Sequence, residues 1–180
     1  MAKQKIVPHL WFDKEAKEAA EFYVATFGNG SKVLSTTTLH DTPSGNTDTV
    51  SFELWGFKFM AISAGPYFKF NPSISFHVKC KTKEEVDAIW NKLSKGGKVL
   101  MELGSYQFSE RYGWTEDKYG LSWQVIFVGD QPIEPRIIPV LMFVGDVVGR
   151  AEEAVNFYTS VFAPYGSSEV KVLARYEKGE

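Results

Sequence analysis

His9 and His77 are the side chains in this sequence best suited to exchange a proton near neutral pH. Each lies in a short apolar segment that is typical of a β-strand. In a binding cleft, either imidazole could act as a general base or donate a hydrogen bond to a ligand. Either could also be hydrogen-bonded within the sheet and take no part in binding. The third histidine, His40, precedes Asp41 in a polar segment, which indicates an exposed position.

Aromatic and cationic side chains form a second set of candidate binding residues. Trp11, Tyr112 and Trp114 could form the wall of a cleft for a flat or apolar molecule, although core packing would account for them as well. Arg111 follows Glu110 in a predicted long loop, where it could clamp an anionic group or form a surface ion pair. The spacing predicts no Ser-His-Asp or Cys-His arrangement, so catalytic residues stay unassigned.

The composition argues against several classes of protein. The 20 Lys and Arg residues are balanced by 22 Asp and Glu residues, and a net charge of −2 argues against a nucleic-acid partner. No apolar run approaches the roughly 20 residues that cross a bilayer, and the first residues lack the apolar core of a secretory signal. Cys80 is the single cysteine, which predicts a buried thiol and no disulfide. We expect a cytoplasmic protein with no membrane partner.

Two segments of the chain repeat one order of predicted elements, β-α-β-β-β. Residues 5–63 contain a helical stripe of apolar side chains that ends at Gly28-Asn29-Gly30. In residues 73–128, Thr82 and Glu85 form a capping box at the start of the second helix. A βαβββ module has an apolar sheet face that it cannot cover alone. The two modules therefore predict one complete domain over residues 1–130.

Residues 136–180 begin the pattern a third time, because IIPVLMF at 137–143 echoes IVPHLWF at 6–12. Only a strand, a helix and a strand over 169–176 are predicted, which makes this an incomplete module and the start of a second domain. It could dock on the first domain, pair with another copy or remain loose. We therefore expect either a fragment of a longer two-domain protein or a homodimer, for which residues 136–180 are one candidate interface.

The repeats predict which side chains share a face of the sheet. An apolar set recurs between the first and third modules: Pro8, Leu10 and Phe12 against Pro139, Leu141 and Phe143. His9 and Trp11 alternate with this set and so point to the other face. By the same alternation, His77 and Gln124 lie on the polar-tolerant face of their strands. Polar residues that recur on one face of several strands are typical of a cleft lining.

Three stretches resemble the PhnB-like group of the vicinal oxygen chelate superfamily: PHLWFDKEAKEAAEFYVATF, ELWGFKFMAISAG and YGWTEDKYGLSWQVIF. The superfamily includes glyoxalase I, extradiol dioxygenases, fosfomycin-modifying enzymes and bleomycin-resistance proteins. The likeness covers residues 5–128 in full and the tail as the opening of a second domain. It implies an α+β fold in which paired βαβββ modules form a cup-shaped mixed sheet with the helices outside. It also implies a ligand or a metal in the cup.

The resemblance allows a test for a metal site. Metal-using relatives supply His or Glu from four strands, and the matching positions here fall near residues 7–9, 60–62, 73 and 124. His9 is the one good ligand among them, and Gln124 is a weaker, neutral oxygen donor. We therefore predict no catalytic metal and no other cofactor. Gln124 is instead expected to mark the ligand cleft.

These observations favour a protein that binds a small apolar or aromatic molecule in the cup without a metal. One alternative is a metal-dependent lyase, transferase or dioxygenase that uses His9 or His77 with a carboxylate such as Glu53 or Glu102. A second alternative is a structural assembly domain whose cup is filled by Phe and Trp side chains. Members of the group are often labelled demethylubiquinone methyltransferases, but no glycine-rich loop lies between a strand and a helix in the first 130 residues.

Overall fold

A computed structural model describes residues 4–166 and residue 170. The chain divides into two compact units, Met1–Leu141 and Met142–Glu180. No helix in these described residues is long and apolar enough to cross a membrane. The strand predicted over residues 169–176 lies, apart from residue 170, outside the described residues.

The first module forms the predicted order of elements around a four-stranded mixed sheet. Its elements are β1 (His9–Phe12), α1 (Ala16–Phe27), β2 (Lys32–Thr42), β3 (Gly45–Leu54) and β4 (Phe57–Ser63). The strand order is β1-β4-β3-β2, with β1 parallel to β4 and the other neighbours antiparallel. Trp55 and Gly56 have φ values of 48° and 82° and form the two-residue turn between β3 and β4. The connection between β2 and β3 is short, because β2 extends to Thr42 and β3 begins at Gly45.

The second module repeats this order with β5 (Ile74–Cys80), α2 (Lys83–Leu93), β6 (Lys98–Tyr106), β7 (Ser109–Glu116) and β8 (Ser122–Phe127). The predicted cap of α2 is present, since the Glu85 amide donates a hydrogen bond to Thr82 Oγ1 over 3.1 Å. The prediction of a long loop over residues 104–111 is wrong. β6 and β7 form a bulged hairpin through most of that range, and the bulges break the alternation from which a strand is predicted.

A third-module strand, β9 (Ile137–Leu141), completes the second sheet. It runs antiparallel to β5 on its outer edge, so the strand order is β6-β7-β8-β5-β9. The sequence left three possibilities for the third module: docking on the first domain, pairing with another copy, or remaining loose. Its first strand docks on the first domain. The first compact unit therefore reaches Leu141, beyond the predicted boundary at residue 130. In the second unit, α3 (Ala151–Phe162) follows, and none of its residues is buried.

One hydrophobic core joins the two modules. The ring of Tyr23 on α1 lies 5.3 Å from that of Trp123 on β8, and Phe59 on β4 lies 4.9 Å from Phe76 on β5. The faces of both sheets that carry the helices therefore meet in one shared interior. Cys80 is buried there, as predicted, and burial raises the pKa of its thiol.

The predicted fold class, α+β with paired βαβββ modules and mixed sheets, is confirmed. The predicted face assignment also holds in β1, where Leu10 and Phe12 are buried while His9 is exposed. One feature differs from the expectation. The strands form two separate sheets, of four and five strands, instead of one cup-shaped sheet. Both modules bury their apolar side chains on the helix-bearing side, in one shared core.

Asp117, in the turn between β7 and β8, forms the polar centre of this shared core and is 3% exposed. Its carboxylate accepts hydrogen bonds from the Tyr23 hydroxyl at 2.8 Å and from Trp123 Nε1 at 2.9 Å. It also accepts bonds from the backbone amides of Tyr119 and Leu121. Burial raises the pKa of Asp117, and the four hydrogen bonds oppose that rise. One side chain thus links the first helix to the last hairpin.

Substitution of Asp117 by alanine should lower the free energy of unfolding by about 3 kcal/mol or more, because buried donors from both modules lose their acceptor. Urea denaturation followed by tryptophan fluorescence measures this loss. The matched control is Asp130→Ala, an exposed position where a change within about 0.5 kcal/mol is expected. Equal stabilities of the two variants would show that Asp117 does not hold the modules together.

Candidate ligand-binding site

Four of the predicted binding residues lie on the outer face of the second sheet. His77, Gln124 and Trp114 are paired across β5, β8 and β7, and Tyr112 lies on the same face of β7. These four residues and Ser75 are called the second-sheet face below. The structure therefore brings this part of the predicted set together.

Hydrogen bonds fix the polar groups of the second-sheet face. The Tyr112 hydroxyl donates to Gln124 Oε1 over 2.8 Å, and Gln124 Nε2 donates to Ser75 Oγ over 2.8 Å. Trp114 Nε1 donates to Ser122 Oγ over 2.8 Å. Burial, and then the neighbouring Tyr106, raise the pKa of Tyr112 to about 12, so its hydroxyl stays protonated. A flat ligand on this face could contact the rings of Tyr112 and Trp114 and the side-chain amide of Gln124. Hydrogen bonds fix the orientation of all three groups.

His77 is held in a neutral state on this face. Its Nε2 atom is buried and has no hydrogen-bond partner among the described residues. Burial, and secondarily the charge of Lys79, lower the pKa of its imidazole. Ile138 of β9 lies directly opposite it in the ladder. A neutral imidazole can accept a proton or a hydrogen bond from a ligand, as the sequence suggested.

His9 and Trp11 lie apart from the second-sheet face, in a groove along β1. Trp11 Nε1 donates to the Gly65 carbonyl oxygen over 2.8 Å, and its ring meets that of Phe68 edge-on at 4.9 Å. The groove has a volume of about 290 Å³. It is called the Trp11 groove below, and its lining is Pro8, His9, Leu10, Trp11, Phe68, Lys69, Phe70, Asn71, Ile74, Phe76 and Leu121.

A second cavity, of about 530 Å³, adjoins the Trp11 groove and shares Trp11, Phe68, Lys69 and Phe70 with it. Its lining also contains acidic side chains, namely Asp13, Glu15 and Glu116. No Asp or Glu lines the Trp11 groove itself, where Lys69 is the charged lining residue. The groove is thus the more apolar of the two spaces.

Arg111 is separated from the other predicted residues. Its Nε donates to Asp87 Oδ1 on α2 over 2.7 Å, on the helix-bearing side of β7 and opposite to Tyr112. Glu110 pairs with Lys83 of the same helix, over 2.5 Å. Of the two roles predicted for Arg111, the structure thus shows the surface ion pair, and the two ion pairs connect α2 to its neighbouring hairpin.

The residues at the family's metal positions do not fit a metal ion. His9 and His77 lie on different sheets, and Gln124 uses its side-chain oxygen to accept from Tyr112. The described part of the chain contains no group of three His, Cys, Asp or Glu side chains placed to share an ion. Neither Glu53 nor Glu102 is placed in such a group with His9 or His77.

Some residues around these surfaces were not among those predicted from the sequence. Tyr106 and Phe108 stack at 5.6 Å beside Tyr112, at the end of a hairpin that was predicted to be a loop. Ile138 and Val140 of β9 extend the second-sheet face, because they pair with His77 and Ser75. The sequence repeat predicts β9 as a strand. The spacing of residues along the chain does not predict that β9 pairs with β5.

Residues 4–126 match the model of a family described as 3-demethylubiquinone-9 3-methyltransferase. The chain belongs to this family. A solved structure described as a putative 3-demethylubiquinone-9 3-methyltransferase, PhnB protein, from Bacillus cereus is 38% identical. It aligns with a TM-score of 0.64 over 69% of this chain and 100% of that chain. The predicted membership of the PhnB-like group is confirmed.

More distant structures agree on the fold of this PhnB-like chain. A protein from Pseudomonas aeruginosa is 25% identical with a TM-score of 0.61, over 71% of this chain and all of that one. A genomically encoded fosfomycin resistance protein from Listeria monocytogenes is 13% identical with a TM-score of 0.52, over 70% of this chain and 94% of that one. At that identity the likeness shows the fold alone. No curated protein matches the sequence.

The neutral state of His77 predicts a pH dependence of stability. Because the folded-state pKa is lowered, the unfolded state takes up the proton first, and stability falls as the pH drops below about 6.5. When the pH is lowered from 7.5 to 5.5, the free energy of unfolding should decrease less for His77→Gln than for the unchanged protein. The two decreases should differ by at most about 1.4 kcal/mol. Urea titrations at both pH values measure this difference. His40→Gln, at an exposed position on β2, should behave like the unchanged protein.

Proposed function

We propose that this PhnB-like protein binds a small apolar or aromatic molecule in the Trp11 groove. The observation that carries the proposal is an apolar space of about 290 Å³ whose principal wall, Trp11, is fixed by a hydrogen bond to Gly65. Small-molecule sites are typically concave, mostly apolar and already formed, with a few polar groups at the rim. Here His9, Lys69 and Asn71 supply those polar groups.

The size and lining of the groove favour a ligand of one or two rings. A flat ring can lie against Trp11 and Phe68 in the offset or edge-on geometry that aromatic pairs prefer. Leu10 and Phe76 support the floor from the shared core. A purely structural domain would have its cup filled by Phe and Trp side chains. In this chain those side chains lie mostly in the shared core, and the Trp11 groove is open.

The proposal is for binding without methyl transfer, although the family description contains the word methyltransferase. A site for a methyl donor commonly uses a glycine-rich turn that leads from a strand into a helix. In this chain Gly28-Asn29-Gly30 follows α1 and leads into β2, which is the opposite order. We also propose a cytoplasmic location, for which the single buried Cys80 is the supporting feature.

Calorimetric titration with 2-naphthol, a neutral two-ring probe, tests the groove. Trp11→Ala should weaken binding by about tenfold or more, because a ring contact and a wall are lost. The matched control is Trp114→Ala, which removes the same ring from the second-sheet face and should leave binding within about twofold. If Trp114→Ala abolishes binding and Trp11→Ala does not, the ligand site is the second-sheet face. If the unchanged protein binds no probe, the proposal fails.

A further inference from the structure

The larger cavity beside the Trp11 groove is not used by the proposed function. The two spaces, of about 290 and about 530 Å³, share the side chains of Trp11, Phe68, Lys69 and Phe70. The larger one is called the acidic cavity below. Small-molecule sites usually have volumes of about 300–1,000 Å³. The groove and the acidic cavity together are therefore large enough for a ring system that carries a further group.

Aromatic rings form much of the lining of the acidic cavity. Trp11 and Phe68 meet edge-on at the part that the cavity shares with the groove. The ring of Phe12, which is 3% exposed, lies 5.2 Å from that of Phe70 and 5.9 Å from that of Tyr119. These rings are thus held in place by the shared core. The face of an aromatic ring attracts a cation, so such walls suit a positively charged group as well as an apolar one.

Three half-buried carboxylates line the acidic cavity, and the fold accounts for one of them. Glu15 lies at the start of α1, where the positive end of the helix stabilises an acid, and its Oε2 accepts from the Lys14 amide over 2.9 Å. Asp13 and Glu116 form no ion pair among the described residues. Lys98, opposite Glu116 in the ladder between β6 and β7, forms none there either.

The two lysines of the acidic cavity do not neutralise its carboxylates. Lys118 Nζ pairs with Glu18 Oε1, outside the lining, over 2.8 Å and lies 4.7 Å from the ring centroid of Tyr119. Lys69 is exposed, so its ammonium group is in contact with solvent. With Lys118 already paired, one lysine stands against three carboxylates in the lining. The acidic cavity therefore has an excess of negative charge that a cationic group would complement.

We propose that the ligand of the Trp11 groove is an aromatic amine, with its rings in the groove and its ammonium group in the acidic cavity near Asp13 and Glu116. This inference rests on the proposed function, because it assigns a chemical class to the ligand of the same groove. An ammonium group has three N–H donors for carboxylate oxygens and is also attracted to the surrounding rings. A neutral ligand forms no charged contact there, and a carboxylate is repelled.

Three probes that share one ring system and differ in charge test the inference. Calorimetric titrations at pH 7.5 compare 2-naphthylmethylamine, a cation, with 2-naphthalenemethanol, which is neutral, and 2-naphthylacetic acid, an anion. The amine should bind the unchanged protein at least about fivefold more tightly than the alcohol, and the acid more weakly than the alcohol. An amine that binds no more tightly than the alcohol, or an acid that binds most tightly, overturns the inference.

Paired variants locate the preference for the amine. Asp13→Asn with Glu116→Gln should bring the amine and the alcohol within about twofold of each other, and its unchanged affinity for the alcohol shows an intact groove. Glu21→Gln with Glu84→Gln is the matched control, because it changes the net charge equally at exposed positions on α1 and α2. The control should keep the full preference.

The other outcomes separate this inference from the proposed function. If the cavity variant keeps the preference, or the control loses it equally, the acidic cavity does not hold the ammonium group and the inference is overturned. If the cavity variant no longer binds the alcohol, Glu116→Gln alone replaces it and should lower the preference at least about twofold. If Trp11→Ala weakens binding of the alcohol but the amine has no advantage, the proposed function stands without this inference. If no probe binds the unchanged protein, both are overturned.

Discussion

The arrangement of this protein depends on the burial of two sheet faces against each other, with one carboxylate between them. Asp117 accepts hydrogen bonds from Tyr23 of the first module and Trp123 of the second, inside a core that excludes water. A buried carboxylate is costly unless its oxygens are satisfied, and here four donors satisfy it. Because those donors come from both modules, neither module can move without leaving polar groups unpaired.

This shared core decides where a ligand can bind. Each sheet has two faces, and the helix-bearing face of each is used to join the modules. The polar-tolerant faces are left outside, one bearing His9 and Trp11, the other bearing His77 and Gln124. Open space beside the sheets is therefore found at an edge, where the Trp11 groove lies along β1.

Repetition of one module gives the chain strands that can substitute for one another. β1 and β9 share their pattern, yet β1 pairs with β4 in parallel and β9 pairs with β5 antiparallel. A strand has two hydrogen-bonding edges, so both pairings are compatible with the same residue sequence. The copy of β1 in the third module thereby extends the second sheet instead of starting a sheet of its own within the described residues.

The sequence by itself determined the modules, their element order and the side chains of each strand that are buried, because these follow from local periodicity. Leu10 and Phe12 alternate with His9 and Trp11 in any strand, and Thr82 can cap α2 wherever that helix lies. Only the tertiary structure decided that Arg111 pairs with Asp87, that β9 adds to β5, and that the two groups of candidate residues are apart. Those outcomes depend on which faces and edges meet, and spacing along the chain carries no information about partners that are distant in sequence.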